Sequence, residues 1–314
     1  MTLTIGLVTD IHHGSTTGTK IGTAALPLLG EFRDWANGLP LDTVVDLGDR
    51  INNVDATQDA RLTREVATAF GGFRAPRAHI LGNHDNHALS RIDAQEAMGL
   101  SFESWSRDVA GHHLVFWNAD THVTGDGLVF AADELGWFER DLAGTNLPTL
   151  VFTHLPLDDG SMVGNFYFEK YFAGHAHYRN GNAAREIIER SGNVVACLAG
   201  HTHWNTRSTI DGVHYLTIQS LTESYTTHPH PAAAWALLRI ADGALSLEVF
   251  GRDPVLCRLP VRKRGLHWVN LSRPYAPKPL QIAPGMQSRI ARIDGASSAA
   301  AQAIARPSAQ TQDP

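Results

Sequence analysis

Residues 44–52 read Val44-Val45-Asp46-Leu47-Gly48-Asp49-Arg50-Ile51-Asn52, an apolar run with β-branched residues that breaks at Gly-Asp. The run reads as a buried strand whose carboxyl end delivers one carboxylate, Asp49, into a crevice. Gly48 lets the backbone turn sharply there. Gly-Asp is common in surface turns, so the weight falls on four other stretches that also pass from an apolar run into a metal-ligating residue type.

Upstream, Leu3 to Val8 leads into Asp10 and His12, whose spacing of two puts both side chains on one side of an extended chain. Downstream, Ala78-His79-Ile80-Leu81 ends in Gly82-Asn83-His84-Asp85-Asn86-His87. Leu150-Val151-Phe152-Thr153 ends in His154, and Val194 to Ala199 ends in Gly200-His201-Thr202-His203. Helical patterns fall between them. Ile21 to Trp35 carries Leu26, Leu29, Phe32 and Trp35; Thr57 to Phe70 carries Leu62, Val66, Ala69 and Phe70; Ala132 to Leu142 carries Leu135, Phe138 and Leu142. Leu89 to Leu100 and Ala183 to Arg190 also read as helices.

Strand, polar loop and helix in repeated order predict a layered α/β domain with its reactive groups at the strand ends. Val109 to Asn118 reads as one further buried strand. Two strand pairs joined by Asp211-Gly212 and Asp242-Gly243 read as hairpins, so the later part is antiparallel. Residues 158–182 read as a long loop or small cap. The expected division is one domain over 1–269 and, where Pro, Ala, Ser and Gln dominate, an extended arm with a disordered end over 270–314.

With 314 residues, 43% of them apolar, the chain can bury a substantial core. A formal charge of −6 argues against a general nucleic-acid or membrane-surface binder. Cys197 and Cys257 are too few for a disulfide framework or a thiolate zinc site. No window approaches the roughly 18 apolar residues of a membrane span, and no signal-peptide pattern precedes the first strand; a cytoplasmic protein is expected. An arm packing across a partner would make a homo-oligomer.

Collected at strand tips are Asp10, His12, Asp49, Asn83, His154, His201 and His203. Two carboxylates, one amide oxygen and four imidazoles without a thiolate suit two borderline divalent cations, manganese, iron or zinc. A shared carboxylate is needed to hold two cations about 3.5–4 Å apart, and Asp49 is the candidate.

The ordered set Asp-x-His, Gly-Asp, Gly-Asn-His-Asp, a lone His and Gly-His-x-His across residues 10–203 resembles the calcineurin-like metallophosphoesterase superfamily. The resemblance implies an α/β (α+β) fold, a four-layer αββα sandwich of two mixed β-sheets with the metals at one edge. It implies one metal site of Asp10, His12 and His203 and a second of Asn83, His154 and His201, both completed by Asp49. It further implies His84 at the phosphate and leaving group, Asp85 orienting His84, and in-line attack on phosphorus by a hydroxide bridging the metals.

Gly174-His175-Ala176-His177 repeats the last motif, but it follows a polar, aromatic loop where Gly200 follows an apolar strand. The later copy is preferred, with His175 and His177 left as pocket-lining candidates. His13, His87, Asn52 and Asn53 adjoin the motifs as candidate substrate contacts, and Arg50 reads equally as a salt-bridge partner or a substrate clamp.

The expected activity is a phosphodiesterase on a small phosphodiester or nucleotide-type substrate. Gly82-Asn83-His84-Asp85 followed soon by a compact fold is similar to class III cyclic nucleotide and glycerophosphodiester phosphodiesterases. Asn182, the helix Ala184 to Arg190, Gly200 to His203, Gly212 to Thr217, Glu223 and the strand pair from Pro231 to Gly251-Arg252 are instead similar to manganese-dependent ADP-ribose/CDP-alcohol diphosphatases. A phosphomonoesterase and a non-catalytic scaffold of the same fold are the alternatives.

Overall fold

The structure, a computed structural model, describes residues 2–122 and 127–261, which lie in one compact unit. The arm and tail expected over 270–314, and with them the homo-oligomer contact, lie outside the described residues. The first half contains β1 (Leu3–Val8), α1 (Ala25–Asn37), β2 (Thr43–Asp46), α2 (Ala56–Phe70), β3 (Arg77–His79) and α3 (Arg91–Met98). Next come β4 (Trp105–Val109), β5 (His112–Phe116), α4 (Ala132–Ala143), β6 (Thr149–Phe152), α5 (Gly181–Ser191) and β7 (Val194–Ala199). Antiparallel strands follow, β8 (Thr206–Ile210) with β9 (Val213–Thr217), then β10 (Trp235–Ala241), β11 (Ala244–Phe250) and β12 (Val255–Pro260).

Among the described residues these strands form two six-stranded sheets, ordered β12-β11-β10-β1-β2-β3 and β4-β5-β6-β7-β9-β8. Both are mixed: β1, β2 and β3 run parallel, as do β5, β6, β7 and β9, with antiparallel strands at the margins.

Period-two alternation decides the layering. Leu3, Ile5 and Leu7 of β1 meet Leu114 and Phe116 of β5 in a buried cluster between the sheets, joined by Leu150, Phe152 and Leu198. Val8 and Val44 point the other way, onto Phe32, Val66 and Phe70 of α1 and α2. Val115 and Val151 likewise face Phe138 and Leu142 of α4 and Ile188 of α5. The result is the expected αββα sandwich.

Two edge strands differ from the sequence reading. Val109 to Asn118 is not one strand: the chain reverses at Ala110 and Gly111, both at positive φ (49° and 78°), and β4 pairs back on β5. Trp-Ser-Arg-Asp-Val of β4 is largely half-exposed, so it shows no apolar alternation. The other edge, β12, is exposed at Val255 and Leu256 and escapes a pattern search for the same reason. No helix among the described residues is long and apolar enough to cross a membrane.

Candidate metal centre

The carboxyl ends of β1, β2, β6 and β7 and the turn after β3 meet at one edge of the sandwich. Asp10 N–H donates to Gly48 O at 2.9 Å within the first sheet, and Gly200 N–H donates to His154 O at 3.0 Å within the second. His201 N–H donates to Asp10 Oδ2 at 2.9 Å and so ties one sheet to the other.

The chain reverses abruptly at these ends. Asp10, His12, Asp49, His201 and His203 all have φ between 45° and 67°, the left-handed region that side chains disfavour. Such residues persist where the surroundings over-determine them, and they gather at functional sites. The close approach also requires glycine. A Cβ on Gly82 would lie 2.2 Å from Asp49 N and Oδ1, and one on Gly200 would lie 1.9 Å from Thr9 Oγ1 and 2.5 Å from Asp10 Oδ2.

Two donor sets result. In one, single ligand atoms of Asp10, His12, Asp49 and His203 lie within 4.8 Å of one another; in the other, those of Asp49, His154 and His201 do. Asn83 Oδ1 joins the second set, 3.2 Å from His154 Nε2. Asp49 belongs to both. Its Oδ1 is held by His84 N–H at 2.8 Å, while Oδ2 stands 3.8 Å from His12 Nε2 and 3.3 Å from His154 Nε2.

Hydrogen bonds from the second ring nitrogens aim the imidazoles. His154 Nδ1–H donates to Leu47 O (2.8 Å), His203 Nδ1–H to Glu223 Oε2 (2.8 Å) and His201 Nε2–H to His175 O (2.8 Å). These leave Nε2 of His154 and His203 and Nδ1 of His201 free for a cation, the outer-shell pattern of metal-ligating histidines. Asp10 Oδ1 is fully buried with no hydrogen bond, His203 Nε2 standing 3.2 Å away, and a cation would satisfy it. The residues present therefore fit two divalent cations.

Charge in the site follows from burial and proximity. Burial opposes ionisation of Asp49, but the nearby His154 and His84 outweigh it and hold the carboxyl well below the usual range. Burial likewise opposes charge on His154 and His203, yet Asp49 lifts the first to about 9, and Asp10 with Glu223 lifts the second to about 9. Burial, reinforced by His154, pushes His201 down to about 3. Cation uptake at His154 and His203 would thus displace protons, whereas His201 is already neutral.

The remaining candidates separate. His84 is the partly open ring, its side chain 28% exposed, with Nε2 3.9 Å from Asp49 Oδ2. Asp85 does not orient it. The turn after β3 folds Asp85 inward, where its carboxylate accepts from Gly82 N, Asp49 N, Arg50 N and Arg50 Nη1 (2.7–3.0 Å). Asn53 takes the orienting place, accepting from His84 Nδ1 at 2.5 Å. Asn52 donates to Ser15 O and braces the loop after β1; His13 donates to Glu65 on α2. His175 meets the site through its carbonyl, whereas His177 lies where Asp158, Asp159 and Arg185 act on it. His87 is exposed and, with Arg91, Asp120 and Trp137, lines a cleft of about 930 Å³ whose walls include none of the donor residues.

Sequence reasoning misses the supporting shell. Glu223 enters the sequence reading only within a scattered resemblance and without a role; its full burial and its bond to His203 supply one. Arg50, also buried, resolves as a structural partner: it pairs with Asp46 (2.6 Å) and Asp85 (2.7 Å) beneath the strand ends.

Two facing mixed sheets with paired carboxylate and imidazole donors at one edge define the metallophosphoesterase class of fold. The chain belongs to the calcineurin-like phosphoesterase family, whose sequence model matches residues 3–205. No curated protein sequence matches it. Among solved structures it is similar to a dimetal phosphatase from Danio rerio, with TM-score 0.66 and 17% identity over 83% of this chain and 99% of that one. It is also similar to GAP50, the anchor in the inner membrane complex of Plasmodium (TM-score 0.56, 10% identity, 84% and 90% covered). A third is purple acid phosphatase PPD1 from yellow lupin (TM-score 0.54, 13% identity, 80% and 52% covered). At these identities the likeness is one of fold.

Proposed function

We propose that this protein is a dinuclear-metal-dependent phosphohydrolase, a phosphodiesterase acting on a small phosphodiester or nucleotide-type substrate. The observation that supports it is Asp49, whose Oδ2 faces both donor sets while Oδ1 is pinned by a backbone N–H. That is the placement of a carboxylate shared by two cations.

Asp10, His12 and His203 would complete one site with Asp49, and Asn83, His154 and His201 the other. Manganese, iron and zinc all suit these donors. When bound, the cations neutralise charge on the phosphoryl oxygens and lower the pKa of water. The chain itself supplies position. His84 stands at the open side with Nδ1 held by Asn53, which turns Nε2 toward the site, where it would hold or give a proton at the leaving-group oxygen.

The test is chelated protein reloaded with manganese, iron or zinc. The substrates are bis-p-nitrophenyl phosphate, p-nitrophenyl phosphate, 2′,3′- and 3′,5′-cyclic AMP, ADP-ribose and glycerophosphocholine. Metal-dependent diester turnover is expected; turnover of the monoester alone would make the protein a phosphomonoesterase, and none at all with both metals bound would favour the scaffold.

A further inference from the structure

His201, Thr202 and His203 form the last motif, and each is bonded, directly or through one residue, to the segment 165–175. His201 Nε2–H donates to His175 O at 2.8 Å. Thr202 O accepts from Asn165 Nδ2 at 2.8 Å. His203 Nδ1–H donates to Glu223 Oε2, which also accepts from the Tyr167 hydroxyl at 3.1 Å. The rings follow the same pattern: between centroids, Phe168 lies 4.9 Å from His201 and Tyr167 lies 5.4 Å from His203. His201 and His203 belong to different donor sets, so the segment is strapped to both.

Burial does little to hold this strap. Of residues 165–175 only Asn165 and Phe168 are buried, and Phe166, Tyr171 and Phe172 are well exposed. Asn165 commits its Oδ1 to the backbone N–H groups of Tyr167 and Phe168. Two more side-chain bonds come from loops beside Glu223: Thr19 Oγ1 lies 2.6 Å from the Tyr167 hydroxyl, and Tyr225 donates to Gly164 O at 3.0 Å. A segment with so few buried apolar contacts sits at the low end of local stability.

The bond from His201 needs its proton on Nε2, whereas an unligated neutral imidazole carries it on either nitrogen. A cation at Nδ1 leaves only the tautomer that donates to His175 O, and cations on both rings fix the planes against which Phe168 and Tyr167 pack.

We propose that residues 165–175 form a metal-responsive strap: cation binding at the two donor sets orders it against the His201–His203 turn, and Tyr167, acting through Glu223, is a positioning residue for His203. The inference rests on the dinuclear reading and adds a linkage to it. Whatever orders the strap strengthens cation binding by the same factor.

The test is hydrogen exchange of the full chain, chelated and manganese-loaded, with bound metal counted in parallel. Wild type is compared with Tyr167→Phe and, as a control, with Tyr171→Phe, whose ring is exposed. Couplings between sites are typically worth about 5–150-fold. Manganese is expected to slow exchange over 165–175 by a factor in that range beyond its effect on α4, which supplies no donor. Tyr167→Phe should diminish this protection and weaken manganese binding by about 3–10-fold, the worth of one hydrogen bond, while Tyr171→Phe behaves as wild type. Two metals bound with exchange over 165–175 unchanged, or slowed no more than over α4, would overturn the strap. Wild-type affinity in Tyr167→Phe, or an equal loss in Tyr171→Phe, would overturn the positioning role of Tyr167. Failure of the wild type to bind metal would instead overturn the dinuclear reading.

Discussion

The Nε2 atoms of His12 and His203 face each other at 2.9 Å. Both rings commit Nδ1 elsewhere, His203 firmly to Glu223 at 2.8 Å and His12 loosely to Ile51 O at 3.4 Å. With Asp10 Oδ1 buried and unpartnered beside them, 3.2 Å from His203 Nε2, these atoms share one need, a cation.

Glu223 should therefore act through His203. Glu223→Gln is expected to weaken metal binding by about 10–100-fold with the fold intact, measured by competition with a chromogenic chelator and by circular dichroism.

His84 should matter to turnover without holding metal. His84→Asn is expected to retain two metals per chain and to lose about 10²–10⁴ in kcat. Asn53→Ala should show a smaller loss of the same kind, since it removes only the bond at Nδ1. Metal analysis beside steady-state kinetics separates this from a ligand variant.

The strand motifs are legible because each is a short apolar run ending in a ligand type, and a parallel sheet collects such ends at one edge. His154, alone in its motif, becomes informative through order along the chain. Asp85 is the opposite case: adjacency to His84 implies contact, but the turn after β3 sends the two side chains apart. The role of Glu223 is hidden because it comes from a contact with His203, distant in the chain, that no local pattern records. The edges β4 and β12 are likewise hidden, since an exposed strand needs no apolar alternation.

Beneath the site, Arg50 is buried between Asp46 and Asp85. Asp46→Asn should cost about 3–5 kcal/mol, because it strips a charge partner from a desolvated guanidinium. Chemical denaturation of the metal-free protein measures it.

The same cluster sets an acid limb. Burial is the main cause holding His79 below its ordinary 6.5, against the pull of Asp46. The unfolded chain thus binds this proton more readily, so the contribution to stability is complete above about 6.5 and lost as pH falls through the lower folded value. Asp46, held down chiefly by Arg50 against burial, adds a further loss below 3.8. Denaturation midpoints against pH should decline in these two windows, and His79→Gln should shrink the upper one, to which His201 and His84, also held below 6.5, contribute as well.

Gly200→Ala should abolish metal binding, because its Cβ would lie 2.5 Å from Asp10 Oδ2. Dialysis followed by metal analysis reads this directly.

The most direct measurement is the rate of bis-p-nitrophenyl phosphate hydrolysis as manganese is titrated into chelated protein, for wild type and Asp49→Ala. A rate that rises to a plateau at two equivalents per chain and is absent in the variant is the predicted result. Turnover indifferent to metal, or a variant as active as wild type, would contradict a centre built on a shared Asp49.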